Sequence, residues 1–203
     1  MKTISFMADM IRAYQRGDKT QTRRIINPQP NPAWAFVEPR LIGDVWSFGL
    51  LIDGGYNQSE WKCPYGNPGD LLGFLEGYQI TSSAPECVLE GIYLADGEPF
   101  RVHVTREEFD KWVRRKCPYR ATPGRFMYQS LVRYTPKILS VRVERVQEIS
   151  DEDTLAEGID PVRCARADVN REVFSELWDS INSKRGYGWN ANPWCWVVEV
   201  ERN

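Results

Sequence analysis

Histidine is all but missing from this sequence: His103 is the only one in 203 residues. A Ser/His/Asp triad would have to be built on it, and no P-loop, G-x-G-x-x-G, H-E-x-x-H or G-x-S-x-G pattern occurs. The five cysteines, Cys63, Cys87, Cys117, Cys164 and Cys195, are odd in number and widely spaced, without a C-x-x-C pair. Metal-ligand cysteines usually come as close pairs, so free reduced thiols are expected, and neither a metal nor a cofactor. No apolar run approaches the roughly 20 residues needed to cross a bilayer, and the N-terminus lacks the basic stretch and cleavage site of a secretory signal. The expected location is the cytoplasm, with no membrane partner. Charge of one sign is missing too: the net charge is −2, so any nucleic-acid binding must be local.

What is present is the composition of a soluble globular chain, 42% hydrophobic and 27% charged, which predicts one domain over 1–203. Thr3 to Phe6 looks extended. Met7, Met10, Ile11 and Tyr14 then recur at helical spacing, and Gly17 can cap that helix in the left-handed conformation. The polar run that follows, with Lys19 and Thr22, is thereby placed on a loop or strand start. From Asn27 to Gly69 the chain is rich in Pro, Gly, Asn and Trp and reads as a long ordered insertion. Its aromatics, Trp34, Phe36, Trp46, Phe48, Tyr56 and Trp61, are too many for a disordered spacer.

Val88–Leu94 and Phe100–Val104 flank a turn-forming Ala95-Asp-Gly-Glu98 and predict a β-hairpin. Thr105 and Glu108 form a capping box ahead of a helix burying Phe109, Trp112 and Val113. Ile138 to Val146 alternates as a half-buried strand, with Arg142 and Glu144 on its polar side. Ser150 and Gly158 bracket a short helix, and Asn170 is expected to cap another whose stripe includes Phe174, Leu177, Trp178 and Ile181. The chain closes on a strand from Trp194 to Val200. Together these elements predict α+β, with a curled sheet or small barrel as the core.

Two basic clusters stand out, Lys19/Arg23/Arg24 and Lys111/Arg114/Arg115/Lys116/Arg120; for the second, a solvated face is the simpler reading. In Gly17-Asp-Lys19-Thr-Gln-Thr22-Arg-Arg24 an ammonium, a hydroxyl and a guanidinium fall within six residues, all able to donate hydrogen bonds to oxygen. Glu157 is oddly placed for a carboxylate: in the last turn of a helix it faces the negative end of the dipole, which disfavours its charged form. That is a surface accident or a proton-transferring acid.

The G-x-K-T-x-T-x-R run resembles the N-terminal motif of ASCH domains, most closely the larger members encoded by bacteriophages and prophages. The resemblance continues in order through Cys63-Pro-Tyr-Gly-Asn-Pro-Gly-Asp70, Val141 to Ile159, Leu177 to Asn182 and Trp189 to Glu199. It implies a PUA-like (ASCH) small curled β-barrel with flanking short helices, the Pro/Gly/Trp-rich insertion at about 27–69, and a pocket that binds RNA or a modified nucleoside. Some small ASCH proteins are N(4)-acetylcytidine amidohydrolases. By that similarity Thr22 is the nucleophile, Lys19 its base and Glu157 the acid/base serving the leaving amine. The ligand-binding candidates are Arg23, Arg24, Glu76, Arg133, Asn192 and Trp194, with Trp194 either stacking on a base or packed in the core. The chain departs from the family pattern at Gly73-Phe-Leu-Glu76-Gly77 and Met127 to Arg133, where only Glu76, Met127 and Arg133 agree. A phage-encoded factor binding a host protein is a further alternative, which a large exposed aromatic patch from Trp34 to Trp61 would favour.

Overall fold

The structure is a computed structural model describing residues 1–30, 39–52, 55–160 and 167–203. It is α+β, built from small sheets and short helices. No helix among the described residues is long and apolar enough to cross a membrane. The chain divides into two compact units, each assembled from separated segments: the first from Met1–Arg16 and Leu71–Pro136 with Asn203, the second from Gly17–Asp70 and Lys137–Arg202.

In the first unit, β1 (Lys2–Ser5) lies parallel to β6 (Leu72–Leu75). The helix α1 (Ala8–Gln15) buries Ile11, Ala13 and Tyr14, while Met7, at its N-cap, stays exposed. Gly17 follows at φ +77, as its place after the helix demands. β7 (Tyr78–Ala84), β8 (Val88–Tyr93) and β9 (Pro99–His103) form an antiparallel sheet with a bulge between Ile80 and Ser82. The capping box on α2 (Arg106–Val113) is complete: the Thr105 hydroxyl accepts from Glu108 N–H, and the Glu108 carboxylate accepts from Thr105 N–H. Tyr78, Ile80, Leu89, Phe100, Trp112 and Leu131 are among the core residues of this unit. Val113, expected on the buried face, is exposed.

The second unit holds two three-stranded sheets. One orders β10 (Ile138–Arg145), β11 (Trp194–Val200) and β2 (Gln21–Ile25), all antiparallel with β11 central. Residues 194–198 are all buried, because a central strand covered on both faces has no solvent side. The other sheet, β3 (Arg40–Ile42), β4 (Val45–Ile52) and β5 (Gly55–Trp61), occupies the insertion. Phe48 is fully buried between Trp61 and Trp194, with ring centroids 5.1 and 5.2 Å away. Trp34, Phe36, Cys164 and the side chain of Tyr56 lie outside the described residues.

Ser150 caps α3 (Asp151–Ala156) by accepting from Asp153 N–H, and Gly158 ends it at φ +89. The last helix, α4 (Ala167–Asn182), begins before Asn170. Asn170 is therefore not its cap but a buried residue of its first turn, with Oδ1 lacking a hydrogen-bond partner among the described residues. Phe174 and Trp178 pack on Val146, Ile149 and Cys195.

Candidate functional site

The cross-strand register of β2 decides which of its side chains can meet. Arg23 pairs with Val197 and Arg24 with Trp196, so Gln21 and Arg23 share one face with Arg142 and Glu144 of β10. Thr22 and Arg24 take the opposite face, with Val198 and Trp196. The six-residue motif is thus split by the two-residue period of the strand.

On the first face a charged network is buried. Arg23, 3% exposed, donates through Nη2 to Glu144 (2.8 Å) and Asp153 (2.6 Å), and its Nη1 lies 3.6 Å from Glu157 Oε1. Arg142 donates to Asp153 (2.8 Å) and Gln21 Oε1 (2.9 Å) and also binds Glu144. Burial would raise the Asp153 carboxyl, but hydrogen bonds from Arg23 and Arg142 outweigh it and hold the group below its ordinary value.

Lys19 leaves the turn after α1 and reaches the end of α3. Its ammonium donates to Gln21 O (2.7 Å), Glu157 O (2.7 Å) and Glu157 Oε2 (3.0 Å). An ammonium has three N–H groups, and these acceptors match all three. One of them is a carbonyl at the helix C-terminus, where a cation is favoured, and Thr20 N–H donates to the neighbouring Ala156 O (2.9 Å). Lys19 therefore ties α3 to β2. Burial lowers its pKa, the carboxylate of Glu157 partly restores it, and Arg24 and Arg23 depress it further.

Arg24 is half-buried and acts electrostatically on Tyr65 and Glu157; desolvation lowers its pKa. Desolvation raises the Tyr65 phenol, and Arg24 opposes that shift. Three cations, Lys19, Arg23 and Arg142, thus meet three carboxylates, Glu144, Asp153 and Glu157, and Arg24 adds its field to Glu157 from the opposite face of β2. Four buried atoms of this cluster have no hydrogen-bond partner among the described residues: Gln21 Nε2, Arg23 Nε, Arg23 Nη1 and Glu157 Oε1. Each such atom costs about 1–3 kcal/mol until a water or a ligand atom meets it.

No protein-family model, curated protein or solved structure matches the chain.

Of the sequence candidates, Lys19, Arg23 and Glu157 come together, whereas Thr22 is buried on the opposite face of β2 from Arg23. Asn192 is held in the loop before β11, its O accepting from Arg145 (2.9 Å) and its Oδ1 from Gln147 N–H (3.1 Å). Trp194 is buried against Phe48 and has the Arg145 guanidinium over its ring at 4.3 Å, which makes it a packing residue rather than an open stacking platform. Trp46 and Trp61 are half-buried, so the described part of the insertion shows no large open aromatic patch.

Glu76 and Arg133 belong to the first unit. They form a two-pronged pair (2.7 and 2.9 Å), which Asp96 extends (2.7 Å), with Arg133 over the Tyr93 ring at 4.0 Å. Burial raises the Glu76 carboxyl, and Arg133 opposes it. Burial likewise pushes the Tyr93 phenol up to about 12.

Sequence reasoning missed Gln21, Arg142, Glu144 and Asp153. The available signal was Arg142 and Glu144 at i, i+2, opposite charges on one strand face.

Proposed function

We propose that the chain is an ASCH-type, PUA-like protein that binds a nucleoside or an RNA base at Lys19, Thr22, Arg24 and Glu157 of its second unit. The observation that carries this reading is the buried Lys19–Glu157–Arg23 cluster with four unmatched polar atoms around it. A purely structural ion-pair network gains from completing its hydrogen bonds, whereas one that receives a base edge keeps donors and an acceptor in hand. Guanidinium and ammonium donors suit carbonyl or phosphate oxygens.

Calorimetric titration with cytidine, N(4)-acetylcytidine and short RNA tests this. Saturable binding that Glu157→Gln and Arg24→Gln each weaken about tenfold or more is expected, since hydrogen bonds to charged groups contribute about 1.5–3 kcal/mol. Binding that is absent, or indifferent to both substitutions, defeats the reading.

The lowered proton affinity of Lys19 favours a second reading, removal of an acyl group from a modified cytidine, with Thr22 as nucleophile. For that, Lys19 must lose a proton and turn its lone pair toward Thr22, away from its present acceptors. Deacylation of N(4)-acetylcytidine followed by chromatography decides it. Turnover abolished by Thr22→Ala supports catalysis, and none at high enzyme concentration rules it out.

A further inference from the structure

The stretch 111–126 of the first unit contains Lys111, Arg114, Arg115, Lys116, Arg120 and Arg125 and no acid; the next carboxylate along the chain is Glu144. In a chain of net charge −2, so one-sided a segment is a local field. Part of it has a structural explanation. Lys111 pairs with Glu107, and Arg115 donates to Thr122 (3.2 Å) and lies over the Tyr128 ring at 5.4 Å. Arg114 is the C-cap of α2, where the helix dipole favours a cation. Lys116, Arg120 and Arg125 lie beyond the helix, and among the described residues none of them, nor Arg114, makes an ion pair.

Solvation of a charged face does not account for the aromatics interleaved with these cations. Tyr119 is 50% and Phe126 52% exposed. Both are braced: Tyr119 meets the edge of Trp112 at 5.7 Å, and Arg125 lies over Phe126 at 4.7 Å. The loop carrying them is pinned by Trp112 Nε1 to Pro118 O (3.1 Å), by Gln79 Nε2 to Tyr119 O (3.0 Å) and by the paired backbones of Tyr78 and Thr122 (3.0 and 2.7 Å). Rings held half in solvent among unpaired cations match what a flexible polyanion with exposed bases needs: charge along the backbone and flat surfaces for stacking.

We propose that residues 111–126 form a binding surface for single-stranded nucleic acid, with Arg114, Lys116, Arg120 and Arg125 on phosphates and Tyr119 and Phe126 stacking on bases. This surface goes beyond the nucleoside site of the second unit and does not rest on it. A duplex, whose bases are already stacked, fits it less well. An acidic protein surface would use the cations but not the rings.

Fluorescence anisotropy of the full chain with labelled oligouridylate and oligothymidylate of about 12 nucleotides tests the proposal and distinguishes RNA from DNA as the source. Four phosphate contacts predict a slope of log K against log salt of about −3, at about 0.7 per contact for single strands. The slope should collapse toward zero when Arg114, Lys116, Arg120 and Arg125 are all changed to Gln. Tyr119→Ala and Phe126→Ala should each weaken binding about tenfold at unchanged slope. Free cytidine should not displace the oligonucleotide, and these exposed positions should leave the circular dichroism spectrum intact. Absence of salt-dependent binding overturns the proposal. So does binding that ignores both aromatic substitutions and is matched by duplex RNA or displaced equally by polyglutamate.

Discussion

At the residue scale, the pair Lys19 and Glu157 is both the centre of the candidate site and a structural tie. Taking two charges out of water is costly, and a buried pair is weak evidence of stabilisation in itself; breaking one is another matter. Lys19→Met leaves the Glu157 carboxylate buried with only a 3.6 Å contact to Arg23, and removes a donor from the end of α3. Urea unfolding should show a loss of about 3–5 kcal/mol, much of it recovered when Glu157→Met is added. Additive losses, or a single-variant cost below about 1 kcal/mol, would mean that the two do not act as a pair. Lys19 was legible in the polar run after Gly17, and Glu157 in its odd place at a helix C-terminus, but that the two would pair was not. Arg142 and Glu144 were legible only as the polar side of a strand. Alternation says which side chains share a face, not whether another element covers it, and here α3 brings Asp153 onto that face.

At the element scale, what local chemistry dictates was readable: the Thr105 capping box, the Ser150 cap, and the left-handed Gly17 and Gly158 all stand where their neighbours demand. The parallel pairing of β1 with β6 was not, since its partners are some seventy residues apart and nothing in either segment encodes the other. Nor was the reason for Gly91, in the middle of β8. A Cβ there would lie 2.1 Å from Gln79 O and 2.7 Å from the Phe100 ring, so the glycine is what lets β7 approach and Phe100 cross over it. Gly91→Ala should cost about 1–3 kcal/mol or more, because the obstructing atom is backbone and cannot turn aside. Gly97→Ala, in the hairpin turn at φ +78 with nothing within 4 Å, is the control and should cost only the left-handed penalty of about 1–2 kcal/mol. If thermal unfolding ranks the two the other way, the close approach of β7 is not what fixes Gly91.

At the scale of the whole molecule, the division into two units, each stitched from distant segments, was invisible in the sequence, because hydrophobic periodicity is local. Both units nevertheless carry carboxylates whose environments set how stability follows pH. Asp153 in the second unit sits below its ordinary value despite burial, through Arg23 and Arg142. In the first unit, Asp96 and Glu108 are likewise depressed: burial would raise each, and hydrogen bonds outweigh it. Glu76 is raised, chiefly by burial. For the depressed groups the unfolded chain takes up protons first on acidification, so their stabilisation is present above about pH 4 and is lost as pH falls through the folded values. Glu76 has the opposite sign. The folded state protonates first, so its contribution is present below about pH 4.3 and is lost as pH rises through the folded value. Exposed Glu107 is held down as well, by its hydrogen bond to Lys111, and among the described residues four depressed carboxylates against one raised predict a urea midpoint that falls from neutral pH toward pH 3. The individual signs are separable: Asp153→Asn should flatten that fall, and Glu76→Gln, which removes a carboxylate gaining stability on acidification, should steepen it. Parallel curves for both variants and the parent would show that neither carboxylate governs the acid limb.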